Sequence, residues 1–290
     1  MILKSHEISE IVIKALTKVK VKDNIAGIVA DAALQADLRG IGSHGIKMIP
    51  TYIERIKKGG IDPNAAIEIV QKNDSVYIID CKGGFGQVAA KAAQDIITKG
   101  IGENKSVSVG IKNANHCGML AYYTENICSN YAVAFMTSNT NPNTAPLGGA
   151  EKILGTNPFS VAFPGVHHNI VIDMATTAVA KGKIYEYQLN NKPIPQGWAI
   201  NSQGQSTTNP EEALKGILLP FGGHKGYAIS IIIELLSGVM TGSGFLTGVH
   251  SLHKDLDLKQ NVGIFIAGIP LNNFMNESEY RNKISEFISI

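Results

Sequence analysis

An α/β fold with a mixed sheet and flanking helices is predicted by three features of the sequence. Strand-like and helix-like runs interleave along the chain instead of segregating, which is the pattern of helices laid on a sheet. Charged residues make up only 17% and glycines number 30 of 290, against about 25% and about 7% in an average globular domain. That composition belongs to a compact, turn-rich chain whose backbone approaches something closely. No internal repeat and no low-complexity tract divides it, and its length suits one large domain or two small ones.

The elements follow in order. Ser5 ahead of Ile8, Ile11, Val12 and Ala15–Leu16 reads as a capped amphipathic helix. Asp23 caps a second helix that runs to about Leu38. Ser75–Asp80 is strand-like, and Gly84–Gly100 has small-residue helical character. A strand at Ser106–Lys112, a helix near Met119–Ser129 and a strand at Tyr131–Ser138 come next. Asn139–Asn157, rich in Asn, Pro, Thr and Gly, is a loop. Strands at Phe159–Pro164 and Ile170–Met174 precede a helix around Thr177–Leu189, and Asn190–Pro210 is ordered loop. Gly223–Thr241 reads as a long buried helix, Val262–Ile269 as a strand and Glu277–Ile288 as a closing helix.

Composition excludes several classes of function. With 26 basic and 24 acidic residues, the net charge of +2 leaves no nucleic-acid footprint. Cys81, Cys117 and Cys128 form no CxxC spacing, so neither a disulfide framework nor a zinc site is expected, and no metal is assigned. The N-terminal MILKSHEISE has no apolar signal region. The longest apolar stretch, Ile229–Met240, is interrupted by Glu234 and is too short for a bilayer. A soluble, reduced, cytoplasmic protein without membrane or nucleic-acid partners is the expectation.

One segment imitates a dinucleotide fingerprint. Tyr77–Ala89 is a strand followed by Gly84-x-Gly86-x-x-Ala89 and a helix, which would set a pyrophosphate on the helix N-terminus. The fingerprint wants an acid at the end of the following strand to bind a ribose. That strand ends at Lys112–Asn113, and Glu103 lies before it. Glycine-eased packing of helix on strand explains the same residues.

Asp37–Gly45 says more. It places Arg39, Ser43 and His44 between a helix end and two glycines, Gly42 and Gly45, that expose the backbone. An Arg can hold a carboxylate by a bidentate pair, and a His titrates near neutrality and passes a proton to or from a carbonyl or hydroxyl. The bland alternative is a helix end with a surface Arg and a capping His. His116, in Asn113–Gly118 just past a strand, sits where α/β proteins place ligands; a structural, backbone-bonded role is equally open. Phe221–Gly226 opens a helix with glycines and Lys225, which suits phosphate, unless Lys225 is simply solvated. Asp173–Thr177 ends a strand with an acid and hydroxyls that could grip a ribose or cap a helix. His167, His168, His250 and His253 lie in polar loops and read as surface residues.

Taken together and in order, these segments resemble one family. Arg39–Gly45 (RGIGSHG), Asn113–Gly118 (NANHCG), Thr144–Gly149 (TAPLGG), Leu154–Pro158 (LGTNP), Asp173–Thr177 (DMATT), Ala180–Lys183 (AKGK), Ile194–Ile200 (IPQGWAI) and Leu218–Tyr227 (LLPFGGHKGY) are similar to the malate/L-lactate dehydrogenase family. That family is unrelated to the Rossmann dehydrogenases and includes sulfolactate, ureidoglycolate and diketogulonate members and an imine-reducing branch. The resemblance implies a non-Rossmann NAD(P)-binding fold, a homodimer, and hydride transfer between NAD or NADP and the C2 of a small 2-hydroxy/2-oxo acid. A cyclic imine acid reductase is the alternative within the family. It implies that Thr140, Asp173, Met174, Ala175, Thr176 and Lys225 lie against the cofactor, and that Gly84–Ala89 does not. His44, His116 and Ser43 are the implied catalytic residues, with His44 preferred as acid/base, and Arg39 and Lys47 the implied substrate ligands. Residues 1–115, joined by 242–290, form the substrate-side lobe, and 116–241 the cofactor lobe.

The chain departs from the pattern. Where relatives carry a carboxylate-clamping Arg, four residues past His44, it has Met48, with Lys47 beside it. Lysine is a point charge without a guanidinium fork. The usual acid after the GWA stretch is Asn201. Relatives also run on for several tens of residues past the equivalent of Ile290, over a segment that helps cover the cofactor. A nucleotide-binding protein without turnover is therefore the reading from a different class.

Overall fold

A computed structural model describes residues 3–290. Helices α1 (Ser5–Thr17), α2 (Asp23–Leu38) and α3 (Ile49–Lys58) come first, then a hairpin of β1 (Glu68–Asn73) and β2 (Val76–Asp80). Helix α4 (Gly86–Gly102), strand β3 (Val107–Ala114), helix α5 (Leu120–Cys128) and strands β4 (Ala132–Ser138), β5 (Phe159–Phe163) and β6 (Ile170–Met174) follow. Helix α6 (Lys181–Leu189), strand β7 (Ala199–Ile200), helix α7 (Pro210–Lys215), strand β8 (Ile217–Leu218), helix α8 (His224–Glu234), strand β9 (Val262–Pro270) and helix α9 (Glu277–Ser289) complete the chain.

The seven-stranded sheet has the order β1-β2-β3-β9-β4-β5-β6. Only β2 and β3 run parallel, joined by α4 as a crossover, and every other neighbour is antiparallel. The mixed sheet expected from the interleaved elements is therefore present, with one parallel unit in it. Glycines show how closely both faces are covered. A Cβ on Gly268 of β9 would sit 2.4 Å from Ile97 of α4, while one on Gly263 would sit 1.7 Å from the Ser237 carbonyl beyond α8. The first contact belongs to the core of α4, α5 and the central strands, built on Ile97, Val109, Ile111, Tyr123, Ile127, Met136 and Ile266. A second core joins α1, α2 and α3 through Leu16, Val29, Met48 and Tyr52, and a small third one lies under α6 and the β7–β8 pair. The sheet is continuous across residue 115, because β9 pairs with both β3 and β4.

Three expectations need correction. Lys4 and Lys22, not Ser5 and Asp23, stand at the helix starts, because the Glu7 carboxylate accepts from the Lys4 N–H and Asn64 accepts from that of Lys22. Gly223–Thr241 is not one buried helix: α8 gives way to π-helical turns over Leu235–Val239, and Ile232, Leu235, Val239 and Met240 are exposed. Strand β1 and helix α3 lie where no element was expected. The six β1 residues are all exposed, so no alternation of apolar and polar residues marks them.

Candidate functional site

The loop after α2 is stapled back onto its own helix. Gly40 turns the chain at φ +74°, and the Asp37 carboxylate accepts from the Ile46 N–H at 2.8 Å. A Cβ at Gly45 would lie 1.8 Å from Asp37 Oδ1, so a larger residue there would push the carboxylate off its bond to Ile46. This clasp presents Ser43 and His44 side by side, with Ser43 Oγ 2.9 Å from His44 Nδ1.

His116 arrives from the other direction, at the end of β3. Its ring stacks on His44 with centroids 5.4 Å apart. Its Nδ1 lies 2.7 Å from the Tyr52 hydroxyl, which accepts from Gln87 Nε2 at 3.1 Å. The Tyr52 hydroxyl and Nδ1 share one proton, and this bond together with Gln87 fixes the plane of the His116 ring. Burial, with smaller contributions from His44 and His253, pushes the His116 pKa down to about 3. Burial and the nearby Lys47 charge also lower that of His44. At neutral pH both imidazoles are uncharged.

Neighbouring backbone holds His116 in place. Its N–H donates to Gln260 Oε1 at 2.9 Å. Asn115 donates to the Gly83 and Gly84 carbonyls and accepts from Arg55 Nη2 and the Gln260 N–H. Arg55 is fully buried and also donates to the carbonyls of Gly60, Ser251, Leu252, Asp255 and Leu258. Sequence reasoning missed both Tyr52 and Arg55. The signal was their spacing of three on the amphipathic α3, which turns both toward His116. Cys117 is no nucleophile, since burial pushes its thiol up to about 12.

The fingerprint-like glycines serve packing. A Cβ on Gly86 would lie 2.1 Å from the Asn115 carbonyl, and one on Gly84 2.7 Å from Ala65 Cβ. The start of α4 is filled by the backbone that carries His116, which leaves no room there for a pyrophosphate.

Three of the expected cofactor ligands come together. Thr140 Oγ1 accepts from the Thr156 N–H at 2.8 Å, and the Thr176 hydroxyl donates to the Thr156 carbonyl at 2.9 Å. The Phe221 N–H donates to the Thr176 carbonyl at 3.0 Å, which brings the start of α8 and the exposed Lys225 to the same patch. Ala175 lies between Thr176 and Met174, whose apolar side chain is exposed at the end of β6. Glu234 fixes the loop from behind, accepting from Asn139, Asn157 and the Leu246 N–H. Asp173 has another job: its carboxylate accepts from the Ala121 N–H at 2.7 Å, capping α5 just past His116. Burial raises its pKa, opposed by the α5 N–H groups and Arg39.

The expected substrate ligands are spread out. Arg39 is paired with Glu125 of α5, and Lys47 is exposed on a turn past His44. His167 and His168 are on the surface as expected. His253 is exposed too, yet its charge reaches His116, so it is not remote from the site. Among the described residues no three His, Cys, Asp or Glu side chains gather as metal ligands would, and no helix is long and apolar enough to cross a membrane.

Two stacked imidazoles on a mixed-sheet α/β chain are the kind of groups that proton exchange requires. The family profile described as malate/L-lactate dehydrogenase matches residues 3–290. The L-sulfolactate dehydrogenase of Methanocaldococcus jannaschii is 39% identical over 291 residues, covering 99% of this chain and 83% of that one. The malate/(S)-sulfolactate dehydrogenase of Methanothermus fervidus is 36% identical over 288 residues, covering 99% and 85%. A solved structure of the M. jannaschii sulfolactate dehydrogenase superposes with a TM-score of 0.93 at 37% identity, covering 100% of this chain and 83% of that one. The chain belongs to the malate/L-lactate dehydrogenase family and is an oxidoreductase of 2-hydroxy acids that uses a nicotinamide cofactor.

Proposed function

We propose that the chain interconverts a small 2-hydroxy acid and its 2-oxo acid, with His44 as the acid/base and His116 as a neutral hydrogen-bond donor. The observation that carries this division of labour is the stacked pair itself, in which His116 is tied to Tyr52 through Nδ1 and burial pushes its pKa down to about 3. An imidazole held near pKa 3 carries no transferable second proton at pH 7, but its Nε2–H can still polarise a carbonyl oxygen. His44, half-buried and less constrained, takes the hydroxyl proton as C2 is oxidised and returns it in reduction. Ser43 fixes the His44 ring through Nδ1.

The residues present fit a dinucleotide. The part-exposed Thr140 hydroxyl, the exposed Met174 side chain and an ammonium at the start of α8 supply a polar group, an apolar face and a cation, with buried Thr176 holding the Thr156 backbone beneath them. When bound, NAD or NADP supplies the hydride acceptor or donor at its nicotinamide C4. Thr140, Met174, Ala175, Thr176 and Lys225 hold it, and Asp173 acts through α5, keeping the His116 segment against the cofactor strand. Lys47 takes the substrate carboxylate, and Arg39 joins it by leaving Glu125. On this reading 1–115 with 242–290 serve the substrate and 116–241 the cofactor.

The exposed stripe Ile232–Leu235–Val239–Met240 supports pairing with a second copy, a homodimer that sedimentation would reveal. Three buried free thiols fit a reducing cytoplasm. The direct test is absorbance of NADH and NADPH, separately, against oxaloacetate, pyruvate, sulfopyruvate, 2,3-diketogulonate and a cyclic imine acid. Oxidation with a keto acid supports the reading. Oxidation with the imine alone transfers it to imine reduction, and binding of cofactor without any oxidation overturns it.

A further inference from the structure

Three side chains from three elements meet behind the histidine pair. Tyr52 comes from α3, Gln87 is the second residue of α4, and His116 follows β3. Tyr52 is 1% exposed and Gln87 2%. The Tyr52 ring packs edge-on against Phe85, with centroids 6.0 Å apart. Its hydroxyl has two polar side-chain neighbours among the described residues, His116 Nδ1 at 2.7 Å and Gln87 Nε2 at 3.1 Å. Burial raises the Tyr52 pKa, so the hydroxyl keeps its proton through the neutral and mildly alkaline range. His116 Nε2 bonds no protein group among the described residues, which leaves that nitrogen to the substrate.

One hydroxyl proton between two neighbours allows two arrangements. When the amide presents Nε2–H, the hydroxyl accepts there and gives its own proton to Nδ1, so a neutral ring carries its proton on Nε2. When the amide presents Oε1, the hydroxyl donates to it and accepts from Nδ1–H, and Nε2 is left bare. The Gln87 amide therefore decides, through Tyr52, whether His116 offers the cleft a donor or a base. In the structure Nε2 faces the hydroxyl, and Gln87 Oε1 is buried without a partner among the described residues. A buried amide oxygen without a donor is costly, and a role in catalysis is one reason a fold keeps such a group.

We propose that Gln87 is a positioning residue: acting through Tyr52, its amide holds His116 as the Nε2–H tautomer, so that the ring meets the substrate oxygen as a donor and leaves proton transfer to His44. The inference rests on the division of labour between the two histidines and supplies what enforces it. Gln87 lies behind Tyr52, and its effect reaches the cleft through two hydrogen bonds in series.

The test reads the ring directly. Proton–nitrogen correlation spectra of histidine-labelled protein, taken without substrate or cofactor, report which nitrogen carries the proton, and His116→Asn identifies the signal by its loss. The wild type at pH 7.5 shows an Nε2–H ring if the proposal holds, and an Nδ1–H ring overturns it. In Gln87→Glu at pH 9.5 the carboxyl is ionised even where burial holds its pKa at about 8–9, and it can only accept. The ring proton then moves to Nδ1 and kcat falls about tenfold or more; an unchanged Nε2–H ring overturns the proposal. Tyr52→Phe cuts the connection and leaves both tautomers populated. Adding Gln87→Glu to Tyr52→Phe then leaves the tautomer ratio where it was, and a further shift overturns the path through Tyr52. The spectra need no turnover. A switch in Gln87→Glu upholds the proposal even if His116→Asn keeps wild-type activity, an outcome that removes the division of labour alone.

Discussion

His44 and His116 lie with their ring planes 26° apart and centroids 5.4 Å apart, and neither accepts a hydrogen bond from, or donates one to, a carboxylate among the described residues. In many hydrolytic sites an acid orients the catalytic histidine and favours its charged form. Here a serine and a tyrosine hydroxyl take that orienting role, and His44 raises the cost of charging His116. The arrangement keeps two neutral imidazoles together.

Replacing either ring should therefore remove chemistry and spare cofactor binding. His44→Asn and His116→Asn are each expected to lower kcat by about 10²–10⁴-fold, the usual worth of a positioned acid or base, with the NADH dissociation constant unchanged. Fluorescence titration and steady-state rates measure the two quantities separately. Wild-type turnover in both variants would remove the histidines from the mechanism.

The pH dependence of stability has a determined sign. His116 binds its proton at about pH 3 when folded and near 6.5 when unfolded. Between those values the unfolded chain holds the extra proton, so stability is complete above about pH 6.5 and is lost as the pH falls toward 3. The loss through that window is about 1.4 kcal/mol per pH unit from this residue, and the lowered His44 adds to it in the same direction. Urea midpoints measured from pH 7.5 to 4.5 should fall more steeply for the wild type than for His116→Gln. Parallel curves would mean that His116 is accessible to protons in the native protein.

Arg55 carries a different kind of weight. Its guanidinium satisfies carbonyls from Gly60 and the 251–258 turn together with Asn115. Arg55→Met leaves those acceptors buried without donors, a cost of at least about 3 kcal/mol. Arg55→Lys restores the charge and not the fork, so most of the loss should persist. Chemical denaturation checks both, and a variant within about 0.5 kcal/mol of the wild type, the range of an ordinary surface change, would contradict the anchoring role.

How much of this was legible in the sequence varies by element. Buried strands such as Val107–Ala114 and Ala132–Ser138 declare themselves through β-branched and small apolar runs, and the capping asparagine and glutamate of α9 mark its start. Strand β1 does not, because an exposed edge strand has no core face to write a pattern. The loop motif around His44 was visible since local geometry favours two of its glycines, Gly40 by its positive φ and Gly45 by its contact with Asp37. The Tyr52–His116 bond and the Arg55 anchor were not, because each joins residues 60 or more positions apart. Asp173 illustrates a third case: an acid at a strand end reads equally as a ligand or a cap, and the bond its carboxylate accepts from the Ala121 N–H is visible only once α5 is packed opposite it.

Gly86 provides the sharpest separation between a motif and its function. If Gly84–Ala89 cradled a pyrophosphate, adding a methyl at Gly86 would weaken cofactor binding above all. The structure places that methyl 2.1 Å from the Asn115 carbonyl instead, with the His116 carbonyl 2.9 Å away. Contacts that short force the β3–α5 segment to move, and a shift of about 1 Å in a catalytic group costs on the order of 10²-fold in rate. Gly86→Ala should accordingly lower kcat by about that factor and reduce stability by roughly 1–3 kcal/mol, the usual cost of overpacking, while the cofactor dissociation constant stays near the wild-type value. A dissociation constant raised in step with an unaltered kcat would return the segment to the cofactor site. The expected result ties the glycine to His116 by steric contact alone, through a backbone that neither residue can share with a nucleotide.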